Sequence, residues 1–287
     1  MKVCFIIFML FFVSISMAQI THPKASPASV VEQYVGLSKI TIKYARPAVR
    51  GRVVFGELVP YNRIWRVGAN ASTKITIDSD MTVLGNVLPK GTYAIYAFPQ
   101  KDSWEIAFHK NTTHWGDGRK NYNAEEDVFR ISVVPEKRQE FQENFLITFD
   151  KITHNSIQML FVWENTKVSI PFKVHTDTLM QEEISRQLKE NPTAQTYYES
   201  ARYFQEQGKK YSLALMYLNK AISLGGENYY FFRVKSLVEV GLGDLKEAIV
   251  SAEKSLQMAK ELGKDEFVRV NEKNINLWRK MLKTHKN

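Results

Sequence analysis

Eight basic residues, Lys39, Lys43, Arg46, Arg50, Arg52, Arg63, Arg66 and Lys74, stand against one acid, Glu57, giving the stretch from 39 to 74 a local net charge of +7. Five of the eight are arginines. The guanidinium is a planar fork that grips a carboxylate, phosphate or sulfate through two parallel hydrogen bonds, whereas lysine offers a point charge. Arg46-Pro47-Ala48-Val49-Arg50-Gly51-Arg52 has the composition of a loop with a pinned backbone, and Trp65 stands between Ile64 and Arg66. Arg46, Arg50, Arg52, Arg63, Trp65, Arg66 and Asn70 therefore form a candidate anion site. A second account gives these arginines an architectural task, donating to backbone carbonyls and carboxylates in loops over a β domain. Both accounts stay open on sequence alone.

Other groups carry less chemistry. His109, His114 and Asp117 have the side chains of metal ligands but no zinc-motif spacing, so they read as a surface loop. Glu125, Glu126 and Asp127 are consecutive and read as solvated rather than as an acid–base pair. Asp78-Ser79-Asp80 lacks the rest of a calcium loop. Ser251-Ala252-Glu253-Lys254 matches Ser-x-x-Lys but lies in a helical pattern that accounts for it. No Gly-x-Ser-x-Gly elbow, His-Glu-x-x-His pair or Walker loop occurs. The reading assigns no catalytic residue, no metal ligand and no cofactor. Asn70-Ala71-Ser72 and Asn111-Thr112-Thr113 are formal N-glycosylation sequons. Asp177-Thr178-Leu179 resembles a short O-glycosylation acceptor of exported bacterial proteins, with Thr178 as the acceptor; a helix cap accounts for the same residues equally well.

The elements that must position these residues follow from patterning. The 287 residues carry a net charge of +9, 44% apolar side chains and one cysteine, which excludes a disulfide framework and a cysteine zinc site. Met1-Lys2, the apolar run Val3–Val13 and Ser16-Met17-Ala18 have the three-part layout of a signal peptide cleaved after Ala18. The mature chain would be periplasmic or secreted, with no cysteine and no transmembrane segment, and export removes nucleic acid as a partner. Residues 19–29 read as a loose leader. Residues 30–175 show period-two alternation in nine or ten short strands, among them Ile40–Tyr44, Tyr93–Phe98, Trp104–Phe108, Ile157–Trp163 and Val168–Val174, an antiparallel β-sandwich or barrel. Residues 176–192 read as a linker and capping helix, with Asn191 and Pro192 starting the next helix. Over 193–287 the period becomes helical. Tyr211, Ala214, Leu215, Leu218, Ala221 and Ile222 recur 34 residues later as Leu245, Ala248, Ile249, Ala252, Ser255 and Leu256, a register that resembles the tetratricopeptide repeat.

Ser26-Pro27-Ala28-Ser29, Arg46-Pro47, Gly51-Arg52, Phe55-Gly56, Pro60-Tyr61, Trp65-Arg66-Val67-Gly68-Ala69-Asn70, Thr73, Gly91-Thr92-Tyr93 and Trp115-Gly116 stand in the order found in a bacterial exported family known as domain of unknown function twenty-nine eleven. The chain resembles that family over about residues 25–175, most specifically in the Trp-Arg-x-Gly-Ala-Asn block, and members with a helical repeat tail resemble the remainder. The resemblance implies an exported β-rich domain with these blocks as a shared feature, and no activity.

The expected function is that of a non-enzymatic binding or scaffold protein. The β domain presents the arginine surface, and the repeat offers a groove to a protein or peptide. The alternative is an enzyme acting on an anionic or glycan substrate, oriented by Arg46, Arg52 and Arg66 with hydrogen bonds from Asn70. A third reading is a structural envelope protein held near anionic lipid by its charge.

Overall fold

The structure is a computed structural model that describes residues 22–116 and 119–284. The signal segment with Cys4 and Ala18, and Asp117, lie outside the described residues. The chain divides into two compact units that meet between Thr176 and Asp177.

The first unit contains ten strands among its described residues: β1 (Ala28–Val35), β2 (Ser38–Ala45), β3 (Thr73–Ile77), β4 (Met81–Val83), β5 (Asn86–Leu88), β6 (Gly91–Pro99), β7 (Trp104–His109), β8 (Asp127–Val133), β9 (Glu136–Asp150) and β10 (Ser156–Val174). They form two antiparallel sheets, one in the order β1-β2-β3-β6-β7-β8 and one in the order β5-β4-β10-β9. The strands follow from period-two alternation: Ile40 and Ile42 on β2, Ile75 and Ile77 on β3, and Ile106 and Phe108 on β7 point into one core. Ile147, Phe161, Ile170 and Phe172 from the other sheet enter the same core, so the unit is a sandwich. The first strand begins at Ala28, inside the stretch read as a leader. Ile157–Trp163 and Val168–Val174 belong to a single strand. The turn-like Glu164-Asn165-Thr166 is an irregularity in register between β10 and β9, with Glu164 at φ 49°, and the chain does not reverse there.

The second unit has six helices among its described residues: α1 (Thr176–Glu190), α2 (Ala194–Glu206), α3 (Tyr211–Ser223), α4 (Tyr229–Gly241), α5 (Leu245–Glu261) and α6 (Asp265–Thr284). Thr193, not Asn191, caps α2, its hydroxyl accepting from Thr196 N at 3.2 Å. The cap lies just past Pro192, which has no N–H to donate. Helix α2 packs on α3, α4 on α5, and α5 on α6. The 34-residue register is matched in burial: Ala214, Leu218 and Ala221 are fully enclosed on α3, as are Ala248, Ala252 and Ser255 on α5. Small side chains at these positions let the paired backbones approach. No helix among the described residues is long and apolar enough to cross a membrane.

Candidate anion cavity and the buried histidine cluster

The Trp65–Asn70 block organises two neighbouring features. Trp65 pairs with β6 beyond the end of β3, with Trp65 N donating to Ala97 O at 2.7 Å and Ala97 N to Trp65 O at 2.8 Å. Its indole enters the core, edge-on to Phe145 at 5.1 Å and stacked on Trp163 at 5.9 Å, and Nε1 donates to Gly68 O at 3.2 Å. The chain then turns sharply. Val67, Gly68 and Asn70 have φ of 53°, 144° and 63°. A Cβ on Gly68 would stand 2.9 Å from Ala45 O, so glycine is required for close approach as well as for φ. Thr73 Oγ1 closes the turn by donating to Val67 O at 2.5 Å.

This turn forms one wall of a cavity of about 440 Å³. Arg52, Arg63, Arg66 and Arg119 line it with Trp65 and Trp163, and its described lining residues include no carboxylate. The candidates named from sequence divide here. Arg52, Arg63, Trp65 and Arg66 share the cavity; Arg46, Arg50 and Asn70 do not line it. Arg46 Nε donates to Phe145 O at 3.0 Å, Arg50 Nη2 to Ala25 O at 3.2 Å, and Asn70 Nδ2 to Ser26 O at 3.3 Å. Arg52 does both jobs: Nε and Nη2 donate to Val49 O and Ala48 O at 2.9 and 2.7 Å while the residue faces the cavity. Arg119 was not among the sequence candidates. The clue to it was its place just after the Trp115-Gly116 block.

The second feature lies on the outer face of the six-stranded sheet. On β6 and β7 the side chains opposite the core include Ala94, Tyr96, Ala107 and His109, and these four are buried. The following loop covers them. It pairs with the arginine-bearing turn through the Ala71–Trp115 bridge, Gly116 N donating to Asn70 O at 3.1 Å and Ser72 N to His114 O at 3.4 Å. His109 and His114 are therefore interior residues at 0% and 8% exposure, which overturns the surface-loop reading. Asp127 was read as solvated, yet its carboxylate is only 5% exposed. His109 Nδ1 lies 2.9 Å from Asp127 Oδ1, and the other carboxylate oxygen accepts from Tyr122 Oη at 2.5 Å and Arg130 Nε at 2.8 Å. Tyr96 Oη lies 3.1 Å from His114 Nδ1. Burial pushes the phenols of Tyr96 and Tyr122 above their ordinary range, and the bond to Asp127 raises Tyr122 further. Burial alone would weaken the Arg130 cation, but Asp127 and Tyr122 outweigh it and hold its pKa above the usual value.

In the helical unit a groove of about 660 Å³ runs along α1 and α2 past Ile184, Glu183, Glu199 and Tyr203. Thr178 is exposed in the first turn of α1, and neighbouring Asp177 accepts from Lys209 Nζ at 2.5 Å and from the Tyr203 hydroxyl.

Fold and site together define an antiparallel sandwich domain in which one Trp-Arg-Val-Gly-Ala-Asn turn shapes a cationic cavity and supports a buried histidine cluster. The chain belongs to the family described as Protein of unknown function (DUF2911), whose model matches residues 26–172. The match covers the sandwich and stops before α1. No curated protein and no solved structure matches the chain.

Proposed function

We propose that this is an exported binding protein whose β unit holds a small anion in the arginine-walled cavity. The observation that carries the reading is convergence: arginines from three separate stretches, at 52, at 63 and 66, and at 119, line one 440 Å³ space whose described walls contain no acid. The planar guanidinium forks give a carboxylate, phosphate or sulfate in this space parallel hydrogen bonds. Arg52 is held by two carbonyls, so little side-chain freedom is lost when it binds. The signal-like N-terminus supports export. The shared burial register of α3 and α5 supports a tetratricopeptide-like second domain, with residues 177–190 and α6 closing its ends, that offers its groove to a protein or peptide.

The test is isothermal titration of the purified protein with phosphate, sulfate and citrate. Saturable binding of at least one is expected, weakened at least tenfold by Arg63→Ala and by Arg66→Ala and unchanged by Glu57→Gln. Absence of saturable binding for all three, or equal affinity in Arg63→Ala, removes the reading.

A further inference from the structure

We propose that His109, His114 and Glu126 bind one divalent transition cation of the zinc class. This is independent of the anion cavity and uses none of its arginines. The three residues come from the end of β7, the loop after it and the short 3-10 turn Ala124–Glu126 ahead of β8. One donor atom from each lies within 4.8 Å of the other two.

The strongest sign is His109 Nε2. It is buried without a hydrogen-bond partner, although Glu126 Oε2 stands only 3.2 Å away. The ring's other nitrogen is engaged by Asp127. A buried nitrogen left without a bond has lost its water and gained nothing in return, which calls for an explanation. A cation between Nε2 and the carboxylate supplies it, since each then donates a lone pair to the same ion. Ligands at about 2.0–2.1 Å from a tetrahedral zinc lie roughly 3.3 Å apart, close to the 3.2 Å between His109 and Glu126. The Glu126 side chain is 39% exposed, which leaves it room to adjust around an ion.

The surroundings have the form of a metal site's outer layer. A carboxylate on the far nitrogen of a ligating histidine fixes its tautomer and raises its basicity. Asp127 is placed for that, and Tyr122 and Arg130 hold it in turn. The Tyr122 ring stacks on His109 with centroids 4.8 Å apart at 26°, and Tyr96 Oη orients His114. Two imidazoles and one carboxylate select zinc, cobalt, nickel or copper over calcium and magnesium, which take oxygen ligands. Three protein ligands leave a coordination position for water or another small ligand.

Full-length mature protein, stripped with chelator and dialysed, is titrated with Co²⁺ and then with Zn²⁺. The expected result is a visible ligand-field spectrum of nitrogen–oxygen coordination that saturates at one equivalent, is displaced by Zn²⁺, and is matched by one bound zinc per chain in elemental analysis. Glu126→Gln, whose side chain is partly exposed, and His114→Gln should weaken zinc at least 100-fold. Asp127→Asn, a positioning change, should weaken it about 10–100-fold, and Glu125→Gln should leave it unaltered. Absence of the cobalt spectrum, or wild-type zinc affinity in Glu126→Gln, overturns the proposal. So does a nitrogen-15 spectrum showing His109 doubly protonated in excess zinc, since His109 would then be an imidazolium bridging Asp127 and Glu126.

Discussion

Arg46 and Arg63 stand seventeen positions apart in one basic stretch but do opposite work. Arg46 crosses to the other sheet, donating through Nε to Phe145 O, while its own amide donates to Pro27 O at 2.9 Å. Arg63 is exposed and faces the cavity. A charged donor to a backbone carbonyl contributes about 1.5–3 kcal/mol when enclosed and less when partly wet. Arg46→Ala should thus lower unfolding free energy in urea by about 1–2 kcal/mol, whereas Arg63→Ala should change it by less than about 0.5 kcal/mol. Equal losses at both positions would mean that the cavity arginines also carry the fold. Composition could locate the excess of base but could not sort it, because both uses of arginine need the same fork of donors.

The turn from Trp65 to Asn70 supports both features, so its backbone is a sensitive point. Gly68→Ala brings a methyl within 2.9 Å of Ala45 O at a φ of 144°, a strain on the order of 1–3 kcal/mol. The variant should melt earlier and, by shifting the pairing of Ala71 with Trp115, weaken zinc as well. Unchanged metal affinity would separate the turn from the histidine cluster. At the start of α1, hydrogen bonds from Lys209 and Tyr203 hold the Asp177 carboxyl below its ordinary 3.8. A carboxyl depressed in the folded state contributes fully above its unfolded value, and the contribution fades as pH falls through the depressed one. Because the pair is 30% and 42% exposed, solvent screening limits it to about 0.5–1 kcal/mol. Asp177→Asn should therefore be less stable at pH 7, with the difference closing below pH 3.8. A gap that persists in acid would assign the effect to packing. Strands such as β2, β3 and β7 were legible because half-buried strands alternate. The long β10 was read as two strands because a register slip and a turn share the same residues, Glu164-Asn165-Thr166.

Each unit has its own core: Ile40, Trp104 and Phe172 belong to the first, Ala214, Leu218 and Phe231 to the second. Units with separate cores unfold as separate cooperative blocks. Scanning calorimetry should show two transitions, with Gly68→Ala lowering one and Gly241→Ala, whose methyl would meet the Tyr211 ring at 2.5 Å, lowering the other. Saturating zinc should raise only the transition that Gly68→Ala lowers, by about 2.7 kcal/mol at a hundredfold excess over Kd. A single transition moved by all three would overturn the division.

By itself the sequence determined the order of strands before helices, the constant 34-residue register and the family blocks. Each is carried by residues near one another in the chain, where period and turn chemistry act. Only the tertiary structure decided which arginines meet in a cavity and that His109, His114 and Asp127 are interior. Those facts depend on which face of a sheet a distant loop covers. Ala94, Tyr96 and Ala107 show that part of the outer face of β6 and β7 is enclosed, and local pattern carries no record of the segment that encloses it.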